Sequence, residues 1–401
     1  MAHHFDTPNV PAATLHVDVA IVGGGMAGAV AAHLLARQGV SAVVVDLRAE
    51  YPSAFRCEKL TVDQIEHLDR LGLGEAVRAI ASPYASVDMA VGSKVVDRKP
   101  VVELGVRYET MVNAVRQAWP DEVNFIVARV DKVLAGPDRQ SVILADGRRI
   151  DARLVVMASG GAEKLRAELG VRRRVLRPAH SVCVGVSLKR ADGAAFPFEA
   201  MIHQGARVGE GVAFASLFPM QGALRLNLFS FRGLDDPRIV VLRKDPLAGL
   251  AALAPGLLDL IGPVEALGPA ELHLVDLFES EGHVRPGAVL VGDAFRASCP
   301  STGTGVTRLL TDVTQLCEVH IPDWLATPGM GTDKIARYYA DPAKIACDAS
   351  AARMAETSRE TGLALSFTAK VKRHARLART TLGGMANGRR PAAYAPLKKS
   401  A

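Results

Sequence analysis

From Val17 to Val22 the chain is apolar except at Asp18, and from Ser41 to Val45 it is again apolar and rich in β-branched residues. Between them an alanine-rich stretch from Met26 to Gln38 has the composition of a helix, and Gly39 ends it. Strand, helix and strand in that order predict a βαβ unit and hence a parallel sheet. Leu104 to Trp119 has helical spacing, with Met111, Val115 and Ala118 on one face. Asn124 to Val133, Ser141 to Ala145 and Arg149 to Met157 are expected as strands, the last two joined by an Asp146-Gly147 turn. The pattern then changes. Ser181 to Leu188, Gly211 to Phe218 and Ala223 to Phe231 are short apolar or alternating segments with no helices between them, which predicts an antiparallel sheet. A strand returns at Ala288 to Val291, a helix is expected over Val306 to Cys317, and the remainder is mostly helical.

A chain of 401 residues exceeds what one hydrophobic core usually serves. The expected division is a nucleotide-binding domain over 15–177 and 276–325, a β-sheet substrate domain over 178–275, and a helical region with a basic tail over 326–401. Hydrophobic residues make up 49% and charged residues 22% of the chain, ordinary values for a globular protein. No apolar run has the length of a bilayer span, and Met1 to Leu15 has no apolar signal core, so a cytoplasmic location is expected. The five cysteines form no C-x-x-C pair, which argues against a metal site or a disulfide framework. The net charge of +6 belongs to the tail: residues 361–401 hold nine Lys or Arg and no acid. The rest of the chain is slightly acidic, so no nucleic-acid partner is expected.

Two motifs carry chemistry. Gly23-x-Gly25-x-x-Gly28 follows a strand and opens a helix. Gly23 suits the tight turn, Gly25 lets a pyrophosphate approach the backbone, and Gly28 lets helix and strand pack closely. The helix N-terminus offers free N–H groups to the phosphates. Asp46 closes the second strand, where a carboxylate can hold a ribose diol and would repel the 2′-phosphate of NADP. The second motif is Gly292-Asp293-Ala294 after a strand, followed by Pro300-x-x-Gly303-Thr304-Gly305 and a helix. Asp293 can hold a polyol hydroxyl, and N–H groups at that helix start can stabilise negative charge on a reduced flavin ring.

Together these motifs resemble the FAD-dependent aromatic hydroxylases of the para-hydroxybenzoate hydroxylase type, over roughly Val17 to Cys317. The resemblance implies an α/β, Rossmann-type FAD-binding fold with an inserted, mostly antiparallel β substrate domain and a helical C-terminus. It implies that Asp293 binds the ribityl chain, that Pro300 lies beside the reactive edge of the flavin, and that Arg56 approaches the FAD phosphates. Arg107, at a helix start, has a family counterpart near FAD, though a solvated charge fits it equally well. Met26, Ala27, Leu47, Arg48 and Val130 are further FAD-contacting positions on the same basis. The chain departs from the family at Ala158 to Arg166: the family's Asp is Ser159 and its serine is Glu163, while Gly160 and Arg166 are kept. This difference touches the mode of flavin reduction more than FAD binding.

The implied activity is a monooxygenase in which NAD(P)H reduces FAD and a flavin C4a-hydroperoxide transfers oxygen from O2 to an apolar or aromatic substrate. Arg225 falls where the family keeps an arginine near the flavin, but its strand pattern favours a surface position. His203 is expected to be structural or exposed. In the tail, Leu363, Phe367, Val371, Ala375, Ala378 and Leu382 form an apolar stripe among basic residues. Packing of that stripe on the FAD domain is the expectation; docking on an anionic membrane at the inner face is the rival. Three other functions are weighed. A reductase or dehydrogenase of isoprenoid-like lipids shares the glycine motifs. A flavin halogenase would carry a Trp-x-Trp-x-Ile-Pro motif that this sequence lacks. A non-enzymatic flavin-binding protein would turn over nothing.

Overall fold

The computed structural model describes residues 14–56, 58–205, 211–364, 366–372, 374, 375 and 378. It opens with β1 (Leu15–Val22), α1 (Met26–Arg37) and β2 (Ala42–Asp46), the expected βαβ unit. β3 (Lys59–Leu60), α2 (Val62–Arg70) and α3 (Gly74–Ala79) follow, then a long hairpin of β4 (Ser82–Val91) and β5 (Lys94–Gly105), then α4 (Tyr108–Gln117). β6 (Asn124–Val127), β7 (Val130–Leu134), β8 (Gln140–Leu144) and β9 (Arg149–Met157) lead through α5 (Glu163–Glu168) into the 19-residue β10 (Arg172–Arg190). β11 (Ala200–Gln204), β12 (Val212–Met220) and β13 (Ala223–Ser230) precede three helices, α6 (Pro237–Lys244), α7 (Pro246–Leu253) and α8 (Leu257–Ile261). The chain closes with β14 (Val264–Ala266), β15 (Glu271–Glu281), β16 (Ala288–Leu290), α9 (Gly305–Thr314), a π-helical turn over Gln315–His320, α10 (Ile321–Leu325), α11 (Thr332–Tyr339) and α12 (Pro342–Leu363).

Two sheets divide the strands. The first runs β6-β2-β1-β9 in parallel; the start of β9 then pairs with β8 of the β7–β8 hairpin, and its end pairs with β16. α1, α4 and α9 cover one face of it with an apolar cluster that includes Ile21, Leu35, Met111 and Leu310. Coverage on both faces explains why β1 and β2 are apolar without alternation. The second sheet runs β14-β10-β13-β12-β11-β4-β5-β3, with β15 also on β10, and α6 to α8 pack behind it. This sheet reaches beyond the expected 178–275, because the β4–β5 hairpin pairs with it in parallel through β11. Two element expectations also shift. Leu104 and Gly105 end β5 rather than start α4, since their backbones pair with β3 and β4. Asn124 to Val133 is two strands, because β6 pairs with β2 whereas β7 pairs with β8.

Four charges lie buried between α9 and α12, directly behind the Gly292 turn. Lys344 Nζ donates to Asp312 Oδ1 at 2.6 Å and to Asp348 Oδ2 at 3.2 Å, and Arg308 Nε donates to Asp348 Oδ1 at 2.7 Å. Their formal charges cancel, which is what makes their burial tolerable. The group grips the loop around Asp293 from behind. Gly292 N donates to Asp312 Oδ2 at 3.0 Å, and Arg308 Nη1 donates to Arg296 O and Ser298 Oγ.

Of the tail stripe, Leu363 packs beside Phe231 and Ala355, and the described positions beyond it do not follow. α12 ends at Ala364 with φ of 51°, which redirects the chain. Phe367 is then 80% exposed and Val371 half exposed, and Ala375 and Ala378 are exposed. Leu382 lies outside the described residues.

Replacing Lys344 with Met leaves Asp312 and Asp348 short of one buried cation. Denaturant unfolding should show a loss of about 3–5 kcal/mol, and dialysis should show weaker cofactor retention, because the Gly292 turn loses its support.

Candidate active site

A cavity of about 600 Å³ opens at the C-terminal ends of β1, β2, β9 and β16 and continues onto the inner face of the second sheet. Ligands of parallel α/β sheets bind at that end, where the loops diverge. The Gly23–Gly28 turn forms one wall. Gly23 has φ of +102°, and a Cβ on it would lie 2.6 Å from Ala158 O. A Cβ on Gly28 would lie 1.9 Å from Gly23 O, so this residue sets how closely α1 can approach β1. Gly25 differs: its backbone is unstrained and its nearest neighbour is the Tyr51 ring at 3.5 Å, so it faces the cavity. No side chain caps α1, and the N–H groups of its first turn are directed at the cavity end.

Asp46 lines the same wall. Its Oδ2 accepts from Gly24 N at 2.6 Å and its Oδ1 from Arg48 N at 3.1 Å. The buried Arg116 completes this corner: Nε donates to Gly24 O at 2.8 Å, Nη1 to Arg48 O and Ala49 O, and Nη2 lies 3.3 Å from Asp46 Oδ2. Sequence reasoning missed Arg116, which follows no motif and whose partners are backbone carbonyls up to 92 residues away.

Arg56 and Asp293, far apart in sequence, meet in an ion pair of 2.8 Å beside the cavity. Ser159, Gly160 and Gly161 line it too. The Ser159 hydroxyl is buried with no hydrogen-bond partner among the described residues, and a Cβ on Gly160 or Gly161 would meet nothing within 4 Å. On the far wall Pro300 opens a short 3-10 turn, Gly303 has φ of +65°, and Gly305 starts α9. Gly303 and Gly305 also have open space where a side chain would be, and Gln64 Nε2 steadies them by donating to Gly303 O at 2.9 Å. Met26 and Ala27 line the cavity. Leu47 and Arg48 are exposed beside Asp46, and Val130 and Thr304 do not line the cavity. Arg107 is turned aside, with Nε donating to Gln221 Oε1.

These features fit FAD. A glycine cradle, a helix N-terminus, carboxylates at Asp46 and Asp293, and an unpartnered hydroxyl at Ser159 are disposed around one elongated space.

The substrate half is built by the second sheet. Phe214, Phe218, Phe229, Ile202 and Val275 make it apolar, and Phe55 reaches in from the first half. Its polar groups include Glu58, Cys183, Ser216, Asn227 and His273, with the charged Lys59, Arg173 and Asp276 also lining the cavity. Burial lowers the His273 pKa, with Arg56 acting in the same direction, so this imidazole is neutral near pH 7. Arg225 corrects the sequence expectation of a surface position: it is 2% exposed. It donates to Glu58 Oε2 at 2.8 Å, Ser187 Oγ at 3.1 Å and Glu271 Oε2 at 2.6 Å, and stacks over Phe55. The alternation of β13 misled because the second sheet has partners on both faces here. Arg225 does not line the cavity, so it acts through Glu58. His203 is buried and structural, with Nε2 2.9 Å from Gly92 O. Arg166 is buried behind the wall, donating to Ala294 O.

Residues 16–225 match a family model described as FAD binding domain. Ubiquinone hydroxylase UbiL of Rhodospirillum rubrum is 27% identical over 75% of this chain and 71% of that protein. The 3-demethoxyubiquinol 3-hydroxylase of Escherichia coli is 27% identical over 75% of this chain and 79% of its own. Among solved structures, p-nitrophenol 4-monooxygenase PnpA from Pseudomonas putida superposes with a TM-score of 0.72 at 17% identity, covering 94% of this chain and 95% of that one.

The two glycines of the turn should separate folding from binding. Gly25→Val should fold with wild-type circular dichroism yet purify without flavin, because its side chain enters the cavity. Gly28→Ala should lose stability or fail to fold, because its Cβ meets the Gly23 carbonyl. Retention of wild-type flavin content by Gly25→Val would contradict this assignment of the turn.

Proposed function

Because this chain belongs to the FAD binding domain family, and is an FAD-dependent hydroxylase of the aromatic type, we propose that NAD(P)H is its reductant and a phenol- or quinol-like ring its substrate. The observation that carries the proposal is one cavity that runs from a dinucleotide turn to an apolar wall rich in phenylalanine. Bound FAD would supply the electron transfer and the activation of O2.

The chain's own residues do the positioning. The N–H groups at the start of α1 would hold the pyrophosphate, Asp46 the ribose, and Asp293 and Arg56 the ribityl and phosphate region. The backbone of Gly303 and Gly305, at the start of α9, would favour negative charge on a bound flavin ring. Pro300 and the phenylalanines exclude water from the reacting centre. Arg225 orients Glu58. Ser159 would offer a bound cofactor a neutral hydroxyl where the family has a carboxylate, so the approach of the nicotinamide does not depend on a charge at that position. Halogenation is disfavoured further, since neither Trp119 nor Trp324 lines the cavity.

The location we favour is cytoplasmic, with the basic tail against an anionic membrane surface. No helix among the described residues is long and apolar enough to cross a membrane. The exposed Phe367 and Val371 beside Lys370 and Lys372 support surface contact instead.

Two measurements test these assignments. FAD should be released on denaturation, NADH or NADPH should reduce it anaerobically, and one atom of labelled O2 should appear in the product. Substrate double-bond reduction without oxygen incorporation would establish a lipid reductase instead. Truncation after Ala364 should leave FAD bound while reducing sedimentation with phosphatidylserine vesicles several-fold; unchanged sedimentation would remove the membrane assignment.

A further inference from the structure

A second cavity, of about 160 Å³, lies between α12, α9 and the paired strands β10 and β15. Ala297, Ser298 and Cys299 line both this space and the flavin cavity, so that short segment is the partition between them. The Gly23–Gly28 turn does not reach it. Its wall holds a buried cation with one nitrogen unused. Arg308 is 2% exposed. Its Nε donates to Asp348, and its Nη1 to Arg296 O and Ser298 Oγ, all residues that line the same cavity. Its Nη2 has no hydrogen-bond partner among the described residues. A buried guanidinium nitrogen without an acceptor is unfavourable, and a ligand oxygen that reaches it relieves that cost.

The surrounding charges favour an anion. Arg296 also lines the cavity and lies 3.6 Å from Glu279, too far for a hydrogen bond, and that carboxylate is shared with Arg174. The neighbouring charges are matched. Arg308 and Lys344 balance Asp348 and Asp312, and Arg177 pairs with Glu356. One positive charge is therefore in excess. The Arg177–Glu356 pair is half exposed, and an ion pair in such a place is weak enough to part and admit a ligand. Leu176, Leu277, Ala351 and Ala355 make much of the remaining lining apolar. Asp348 and Glu356 line the space as well, so a doubly charged anion such as phosphate is repelled. A single carboxylate on a small apolar body meets both requirements.

We propose that this second cavity is a binding site for a small monocarboxylate, separate from the space for cofactor and substrate. The carboxylate accepts from Arg308 Nη2 and pairs with Arg296, and the apolar body lies against Leu176, Leu277 and the alanines of α12. A cavity of roughly 150 Å³ admits a benzene ring, so the ligand is no larger than benzoate. The site does not depend on the oxygenase reading, because none of its binding groups serves the flavin cavity directly. Its ligand rests on the Ala297–Cys299 partition, which leads into Pro300.

The test is equilibrium dialysis of radiolabelled benzoate against the FAD-bound protein without reductant, with benzamide as the uncharged ring of the same shape and inorganic phosphate as a competitor. The wild type should bind benzoate at least about tenfold more tightly than benzamide, and phosphate should not displace it. Ala351 is buried in the cavity wall, and Ala351→Leu fills the space, so this variant should keep its flavin and lose one equivalent of bound benzoate. Arg296→Gln keeps the backbone carbonyl that Arg308 holds, and should bind benzoate about tenfold more weakly and benzamide unchanged. It carries the test by itself if Ala351→Leu does not fold. The proposal fails if the wild type binds no benzoate, if benzamide binds as well, if phosphate displaces it, or if Arg296→Gln binds as the wild type does. It fails too if a folded Ala351→Leu still binds the full amount, since the benzoate then sits in the flavin cavity.

Discussion

The structure depends on four buried charges that cancel. Arg308 and Asp312 on α9 meet Lys344 and Asp348 on α12, and all four are buried. None of them could stay ionised there alone, because an unpaired charge in the interior costs several kcal/mol. As a set they tie α12 to α9 and hold the Gly292 and Arg296 backbone and the Ser298 hydroxyl by three hydrogen bonds. Asp293 and Pro300 stand on that backbone. A helix close to the end of the described chain thus determines where the flavin side of the cavity lies.

The cavity joins two different kinds of surface. Its cofactor half is made largely of backbone: a glycine turn, two helix starts and the open Ser159–Gly161 segment. Main-chain N–H groups suit phosphates and a ring edge because they are fixed dipoles that need no reorganisation. Its substrate half is made of side chains from a twisted antiparallel sheet, where alternate residues of each strand face the same way. That sheet presents phenylalanines as a wall with polar side chains such as Asn227 set within it. The loop from Tyr51 to Glu58 belongs to both halves. Arg56 pairs with Asp293 on one side and Glu58 with Arg225 on the other, so the two halves cannot shift independently.

How far each feature was legible follows from its range. The Gly23–Gly28 turn and the Asp293 loop are local signals, in which a few neighbouring residues state both conformation and chemistry, and residues of both line one cavity. Arg225 was misjudged because strand alternation reports which face a residue takes, and not whether that face is covered. The β4–β5 hairpin was not assigned to the second sheet, since nothing within Ser82 to Gly105 specifies that β4 will lie parallel to β11 more than a hundred residues later. Arg116, Lys344 and Glu58 carry no motif at all. Each matters through partners that only folding brings near.

By itself the sequence determined the α/β class, the dinucleotide turn, the flavin loop and the presence of a second, mostly antiparallel sheet. Those properties are written in short-range periodicity and in glycines whose missing side chains have immediate consequences, such as the Gly28 approach to Gly23 O. Tertiary structure decided which charges are buried, which polar groups are left without partners, and that Phe367 and Val371 stay exposed beyond the turn at Ala364. The physical reason is that burial and pairing are properties of the space between distant segments. The excess negative charge around Arg225 exists only because Glu58 and Glu271, from different parts of the chain, converge on one guanidinium.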